Sequence, residues 1–323
     1  MIPGYTRLLR LGHRSLFRLF HRMKQVQRSY PWLFGHDDQG HPWESWQASE
    51  ISTEPGARRE ELIFPHTVVD ALGLFLASVV VLPVANQEAQ RLLPHALELA
   101  PQPILEDGRH PVLLLFGHQR DVRLNIFPQE RMDYLEFLIA VPHVQWKKTS
   151  NPYRGPFVYM PRLYLNETWP TILGWFCGYA KKRGRVKAGV DHYHVHSLLG
   201  DQPLIEAHFI PRDGNRRSSD FPHFQRLREM FKQPVIGQAL LGLLVCTFFD
   251  FEFEKGHMQD LEARVQIHRP FVPGLPVETY AVQGIEKDPL GAFRFILPWT
   301  LTAPFLPSEL RAEVLENGPG SPI

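Results

Sequence analysis

The sequence predicts an α+β chain built mostly from short antiparallel strands, with flanking helices and an N-terminal helical extension. Three observations carry that expectation. Pro (29) and Phe (22) are abundant among the 323 residues, which suits many short strands joined by turns better than long helices. Strict alternation recurs. Phe249, Phe251 and Phe253 interleave with Asp250, Glu252 and Glu254, and beyond Lys255-Gly256, Leu261, Ala263, Val265 and Ile267 interleave with Glu262, Arg264, Gln266 and His268. This reads as an antiparallel hairpin. Helical spacing, in contrast, is confined to a few short stretches and to the first thirty residues.

The length allows two average domains or one large β-rich domain with an extension. Apolar residues are 44 % and charged residues 21 % of the chain, enough for an ordinary soluble core. A net charge of +1 argues against a general nucleic-acid binder. Cys177 and Cys246 lie far apart and form no disulfide framework, so a reducing, cytoplasmic setting is expected. The longest apolar run, Ala71 to Val84, is too short to span a bilayer. The first thirty residues lack the pattern of a secretory signal.

Residues 1–30 carry Arg7, Arg10, Arg14, Arg18, Arg22, Lys24 and Arg28 and no acidic residue, while Leu9, Leu16, Phe20 and Met23 recur at helical spacing. Such a basic amphipathic helix lies on an anionic membrane, docks on a neighbouring subunit, or packs on its own domain. Tyr30 to Glu60 reads as an arm held to a surface by Trp32, Trp43 and Trp46. We therefore divide the chain into an N-terminal helix and arm (1–63), a main domain (64–307) and a tail (308–323).

Within the main domain, Ser78 to Pro83 is a β-branched run typical of a buried strand. Asn86 to Leu93 reads as a helix with Asn86 as N-cap and Glu88 in its first turn. His110 to Phe116, Tyr134 to Val141 and Tyr159 to Leu165 are further strands. Thr168 to Lys181 reads as a helix, and Lys187 to Leu199 and Leu204 to Ile210 as strands. A turn follows at 212–215, then an amphipathic helix from Phe221 to Phe231 stopped by Pro234. The last strand is Phe293 to Leu297.

Several patterns bear on chemistry. His192, His194 and His196 share one face of their strand, as a metal platform or as a wet, half-polar sheet face; we expect no metal. No Gly-x-Ser-x-Gly, phosphate loop or dinucleotide fingerprint occurs. His118 reads as part of a surface turn. Arg120 and Arg123 offer bidentate partners for a substrate carboxylate, or are exposed strand-end arginines. Lys181-Lys182 follows the apolar, aromatic-rich run from Phe157 to Ala180. Its ammonium groups are either solvated or partly buried. Burial and mutual repulsion would lower a lysine pKa and free an amine for nucleophilic attack.

The stretch Tyr159-Met160-Pro161-Arg162-Leu163-Tyr164-Leu165, leading to Gly178-Tyr179-Ala180-Lys181-Lys182, resembles the acetoacetate decarboxylase family, where a similar strand precedes Gly-Arg-Glu-x-x-Gly-x-Pro-Lys-Lys. Tyr134-Leu135-Glu136 is similar to the family's Tyr-x-Glu strand. Val79 to Pro83, Leu92-Leu93-Pro94 and His110-Pro111-Val112 are similar to its opening elements. In order of elements the resemblance runs from about Val79 to Pro304. It implies a cone-like, mostly antiparallel β-barrel with flanking helices, assembled as a homo-oligomer and needing no cofactor. It also implies that Lys181 is the Schiff-base lysine, Lys182 the neighbour that depresses its pKa, and Glu136 a pocket carboxylate. Acetoacetate decarboxylase is itself the standard example of a lysine so activated, and these roles come with the resemblance.

The chain departs from the family where Leu173-Gly174-Trp175 stands for Gly-Arg-Glu and Ala180 for Pro. Arg120, Arg123 and Arg162 are candidates for the family's substrate-facing arginine; Trp175 and Tyr179 are candidates to line the pocket. The expected function is that of a Schiff-base enzyme, of decarboxylase or of aldolase/dehydratase type, acting on a keto acid or related carbonyl compound. The alternative is a non-catalytic ligand-binding or scaffold member of the same fold. Either way the expected partner is a small carbonyl or acid ligand.

Overall fold

Long runs of Val, Ile, Leu and Phe, too apolar for one-sided strands, make the longest strands of the sheet, which are buried on both faces. A computed structural model describes residues 71–307 apart from 125–126, 149–152, 177–178, 180, 201, 213, 239–241, 286–290, 303 and 305. The basic helix and arm (1–63), the start of the main domain and the tail (308–323) lie outside the described residues.

In chain order the elements are β1 (Ala71–Ala85), α1 (Asn86–Arg91), β2 (Leu97–Leu99), β3 (Arg109–Leu124), β4 (Phe127–Trp146), β5 (Phe157–Leu165), α2 (Thr168–Phe176), β6 (Lys182–Ala188) and β7 (His192–Ser197). There follow β8 (Pro203–Pro211), β9 (Arg216–Arg217), α3 (Phe224–Phe231), β10 (Val235–Gln238), β11 (Leu244–Thr247), β12 (Phe249–Phe251), β13 (His257–Ile267), β14 (Thr279–Val282) and β15 (Ala292–Leu301). All the strands join one sheet, whose main path is β11-β10-β5-β6-β7-β8-β13-β15-β1-β3-β4-β2. Because β4 also pairs with β5, the path from β5 round to β4 returns to its start. Pairing is antiparallel except at β5–β6 and β5–β10. A parallel pair needs a crossover, and α2 supplies it between β5 and β6.

Period-two alternation sorts neighbouring residues into two cores. Val80, Leu82, Phe116, Leu135, Phe137 and Tyr193 enter one, Val79, Val81, Leu115, Tyr134, Leu138 and Trp299 the other. The second core is capped by α3, whose Leu227 and Met230 are buried, and by a phenylalanine group in which Phe231 meets Phe251, Phe253, Phe293 and Phe295. Among the described residues no helix is long and apolar enough to cross a membrane.

Several expectations need correction. The proposed hairpin does not form: β12 pairs with β15, a 3-10 turn occupies Phe253–Lys255, and β13 pairs with β8, β15, β14 and β9. Alternation had identified the buried face of β13 correctly, since Leu261, Ala263, Val265 and Ile267 are buried. It specifies a face and not a partner, and the phenylalanine group decides where β12 goes. His118 is no surface residue; it is buried within β3, opposite Leu76 and Leu135. Asn86 does not cap α1: the N-cap is Ala85, without a side-chain bond. The helix from Thr168 stops at Phe176, and the strand expected from Lys187 to Leu199 is split between the antiparallel pair β6 and β7.

The long strand β4 bends at His143, which has a left-handed backbone (φ 52°) where the register against β5 shifts. Gln233 accepts the His143 N–H at 2.9 Å. Burial, reinforced by nearby His110, depresses the His143 pKa from 6.5 to about 4. The folded state therefore binds this proton less readily than the unfolded chain. Its contribution to stability is present above pH 6.5 and is lost as pH falls towards 4. In denaturant titrations, wild-type stability should decline across that window, and His143→Asn, which tolerates the backbone angle, should show a shallower decline.

Candidate functional site

The cavity of interest lies in the second core and has a volume of about 70 Å3. Its polar floor comes from β3 and β4. On β4, Tyr134, Glu136 and Leu138 share one face by strand period, and all three line the cavity. Gln119 of β3 lies opposite Tyr134 and donates from Nε2 to Glu136 Oε1 at 2.8 Å. The orientation of its amide is set from 180 residues away in sequence, where Trp299 Nε1 donates to Gln119 Oε1 at 2.8 Å. On the opposite face of these strands, the Tyr193 hydroxyl lies 2.9 Å from the Gly117 carbonyl and 2.8 Å from that of Glu136, pinning the backbone beneath the carboxyl.

Glu136 is only 4 % exposed. Burial pushes its pKa up from the usual carboxylate value, against the opposing pull of the Lys181 charge and the Gln119 hydrogen bond. Desolvation wins, so the carboxyl is biased towards its neutral form.

Lys181 also lines the cavity. The parallel β5–β6 pair sets Lys182 beside Tyr164, which leaves Lys181 at the junction between the crossover and β6. Three bonds fold this junction back on α2. Tyr179 N–H donates to the Gly174 carbonyl at 2.8 Å, Lys181 N–H to the Tyr179 carbonyl at 2.8 Å, and the Trp175 indole to the Lys181 carbonyl at 2.8 Å. The lysine stem then crosses α2 where Gly174 has no side chain; a Cβ there would overlap Lys181 Cδ and Cε. Lys181 Nζ ends 5.7 Å from the centre of the Tyr134 ring, and Tyr179, also lining the cavity, hydrogen-bonds through its hydroxyl to Thr247.

The sequence-predicted site residues thus divide. Lys181, Glu136 and Tyr179 line one cavity. Lys182 is exposed on β6, and its pKa is lowered by partial burial and then by Arg162. Trp175 is 38 % exposed and hydrogen-bonds the backbone carbonyl of Lys181. Arg120 and Arg162 are absent from the lining; the charge of Arg162 acts instead on Tyr159 and Tyr164. Arg123 is also off the lining and pairs with Asp121 at 3.0 Å. Gln119, Trp299 and the space at Gly174 were missed. The substitution pattern Leu173-Gly174-Trp175 held a signal for the last, because glycine near a long side chain marks a close approach.

The histidine row lies on the outward face of β7. His194 Nδ1 is 3.0 Å from Glu206 Oε1, and His268 Nε2 is 2.9 Å from Glu206 Oε2. His192 pairs with Asp191 at 2.9 Å. These hydrogen-bonded contacts belong to a polar sheet face, and among the described residues no group of His, Cys, Asp and Glu converges as metal ligands would.

A carboxyl with a raised pKa in the folded state favours folding most at acid pH; that advantage is lost as pH climbs above its ordinary value of 4.5. Glu136→Gln should therefore match wild type in thermal unfolding near pH 4 and exceed it at pH 8, by about 2–4 °C for each kcal/mol recovered.

No protein-family model matches this chain, and no curated protein sequence does. Solved structures do. The enduracididine biosynthesis enzyme MppR with HEPES bound aligns with TM-score 0.52 and 16 % identity over 75 % of this chain and 89 % of its own. MppR complexed with pyruvate gives TM-score 0.51 and 15 % identity, covering 75 % and 92 %. An acetoacetate decarboxylase-like enzyme from Sphingomonas wittichii RW1 gives 0.50 and 14 %, covering 73 % and 93 %. At these identities the likeness is one of architecture, and it agrees with the mostly antiparallel sheet and its crossover helix: the chain has the acetoacetate decarboxylase-like fold.

Proposed function

We propose that this chain is a Schiff-base-forming enzyme acting on a small carbonyl compound, in the class of keto acids and related aldehydes and ketones. Lys181 is its nucleophile and Glu136 its proton-transfer group. One observation carries the reading: a lysine and a buried carboxyl share a largely apolar cavity, with the lysine stem accommodated by a glycine. Burial favours the uncharged form of Glu136, and in this reading the amine of Lys181, in the same apolar cavity, is uncharged too. An uncharged amine attacks a carbonyl carbon, and a neutral carboxylic acid protonates the departing oxygen. The resulting iminium is an electron sink for cleavage of a neighbouring C–C or C–H bond.

Lys182 stands outside the cavity, so in this reading the apolar lining activates Lys181 and Lys182 adds only its charge from the rim. Tyr134 and Tyr179 position the carbonyl compound. MppR, whose fold this chain shares, is seen with pyruvate and with the condensation product of pyruvate and imidazole 4-carboxaldehyde, which supports carbonyl compounds as the ligand class. The β4–β5 pairing supports a barrel closed on itself as the scaffold.

A second reading is favoured by the Lys181 charge acting on Glu136: a buried ion pair that binds a ligand without reacting. Trapping separates the two. Incubation with a panel of carbonyl compounds and borohydride should give a reduced adduct on Lys181, located by peptide mass spectrometry and absent in Lys181→Met. Failure to form an adduct with any member would leave the binding-only reading. Gly174→Ala should displace the stem and reduce adduct yield at least tenfold. Its unfolding temperature should stay at or above wild type, because alanine is the better helix former by about 1 kcal/mol.

A further inference from the structure

We infer that the carbonyl compound taken by Lys181 is an uncharged aldehyde or ketone with an apolar substituent, and that its reaction begins with loss of a proton next to the carbonyl. This rests on the Schiff-base reading above and narrows it. The first support is charge. Among the described residues, Lys181 supplies the one basic side chain of the lining and Glu136 the one carboxyl. A keto acid would bring a second carboxylate to this cavity. Among the described lining residues the one cation is the amine that must itself become part of the new bond. The arginines suited to grip a carboxylate stand elsewhere: Arg123 is paired with Asp121 at 3.0 Å, and Arg120 and Arg162 are off the lining. Gln119 is held between Trp299 and Glu136, at 2.8 Å from each.

The second support is the apolar part of the lining, which includes Met132, Met160, Leu163, Leu173, Phe249 and Leu301. Such a surface offers an ionised group nothing in exchange for its lost hydration, while it takes alkyl groups favourably. Methionine and leucine side chains also adapt to more than one shape of chain.

The chemistry balances without a further reactant. Lys181 Nζ forms a bond to the carbonyl carbon as the carbonyl π pair moves to oxygen, and a proton from the attacking nitrogen passes to that oxygen to give a neutral carbinolamine. Glu136, as the acid, gives its proton to the hydroxyl, which leaves as water. The products are an iminium and the Glu136 carboxylate. That carboxylate takes a proton from the adjacent carbon, and the C–H electron pair moves to form the enamine as the iminium nitrogen becomes neutral. The sum is amine plus ketone to enamine plus water, with Glu136 returned to its acid form. A neutral substrate has no carboxylate to lose as carbon dioxide, so this proton is what the electron sink releases.

The test uses the full chain with matched pairs: 2-pentanone, 2-hexanone and 2-heptanone against pyruvate, acetoacetate and 4-oxopentanoate. Adducts are reduced with cyanoborohydride and mapped to Lys181. Half-maximal trapping by the ketones should need at least tenfold lower concentration than by the acids, tightening about fourfold per added methylene. In deuterium oxide the hydrogens beside the ketone carbonyl should exchange, and Glu136→Gln should slow both trapping on Lys181 and exchange, with exchange falling by the larger factor. Keto acids trapping as well as or better than the matched ketones would overturn the inference and leave the Schiff-base reading standing. Adducts with ketones that show no exchange would overturn the proton-loss step. No adduct with either series would remove the Schiff-base reading and the inference together.

Discussion

Keeping the Glu136 carboxyl out of water is the constraint around which this region is arranged. A buried acid needs hydrogen bonds, a neighbouring cation or a proton of its own. Here the requirement draws together three distant parts of the chain: Gln119 on β3, Trp299 on β15 and Lys181 at the start of β6. Tyr193 on β7 adds a fourth by fastening the backbone carbonyls of the two strands that carry the carboxyl. The sheet path is what makes these meetings possible, because β15 reaches β3 only across β1, and β5 and β6 run parallel only because α2 crosses between them.

The same crossover gives the lysine its direction. Helix α2 does not run into the lysine pair. It stops, and the chain doubles back through bonds from Tyr179, Lys181 and Trp175. At Gly174 the stem passes where any other residue would block it. Adjacent residues on a strand face opposite ways, and the two lysines, one on each side of the start of β6, end in different surroundings: the first in the cavity, the second in solvent. Adjacency in sequence therefore says little about whether their charges act on each other.

Much of this was legible from local pattern, and the limits have physical causes. Strands at 78–83, 110–116, 134–141 and 159–165 announce themselves through β-branched and aromatic runs, and Lys181 and Glu136 through a resemblance confined to short patches. Alternation identified the buried face of β13 but not its neighbours, since pairing is decided by packing between remote segments. His118 looked superficial because histidine beside two arginines is usually wet; its burial follows from the sheet on either side of β3. Arg120, Arg123 and Arg162 were plausible carboxylate ligands by type, and only the direction of each side chain could assign it. The Trp299–Gln119–Glu136 chain joins residues with no local signature, so no reading of neighbours in sequence would have found it.

The division of the long strands between two cores has an evolutionary consequence. On β4, Leu135, Phe137 and Ile139 serve one interior while Tyr134, Glu136 and Leu138 serve the other. Selection acting on what the cavity holds can rewrite every second residue and leave the intervening ones, which keep the strands together, untouched. A lineage built this way can drift far in sequence, changing its ligand many times, while its architecture is inherited almost intact.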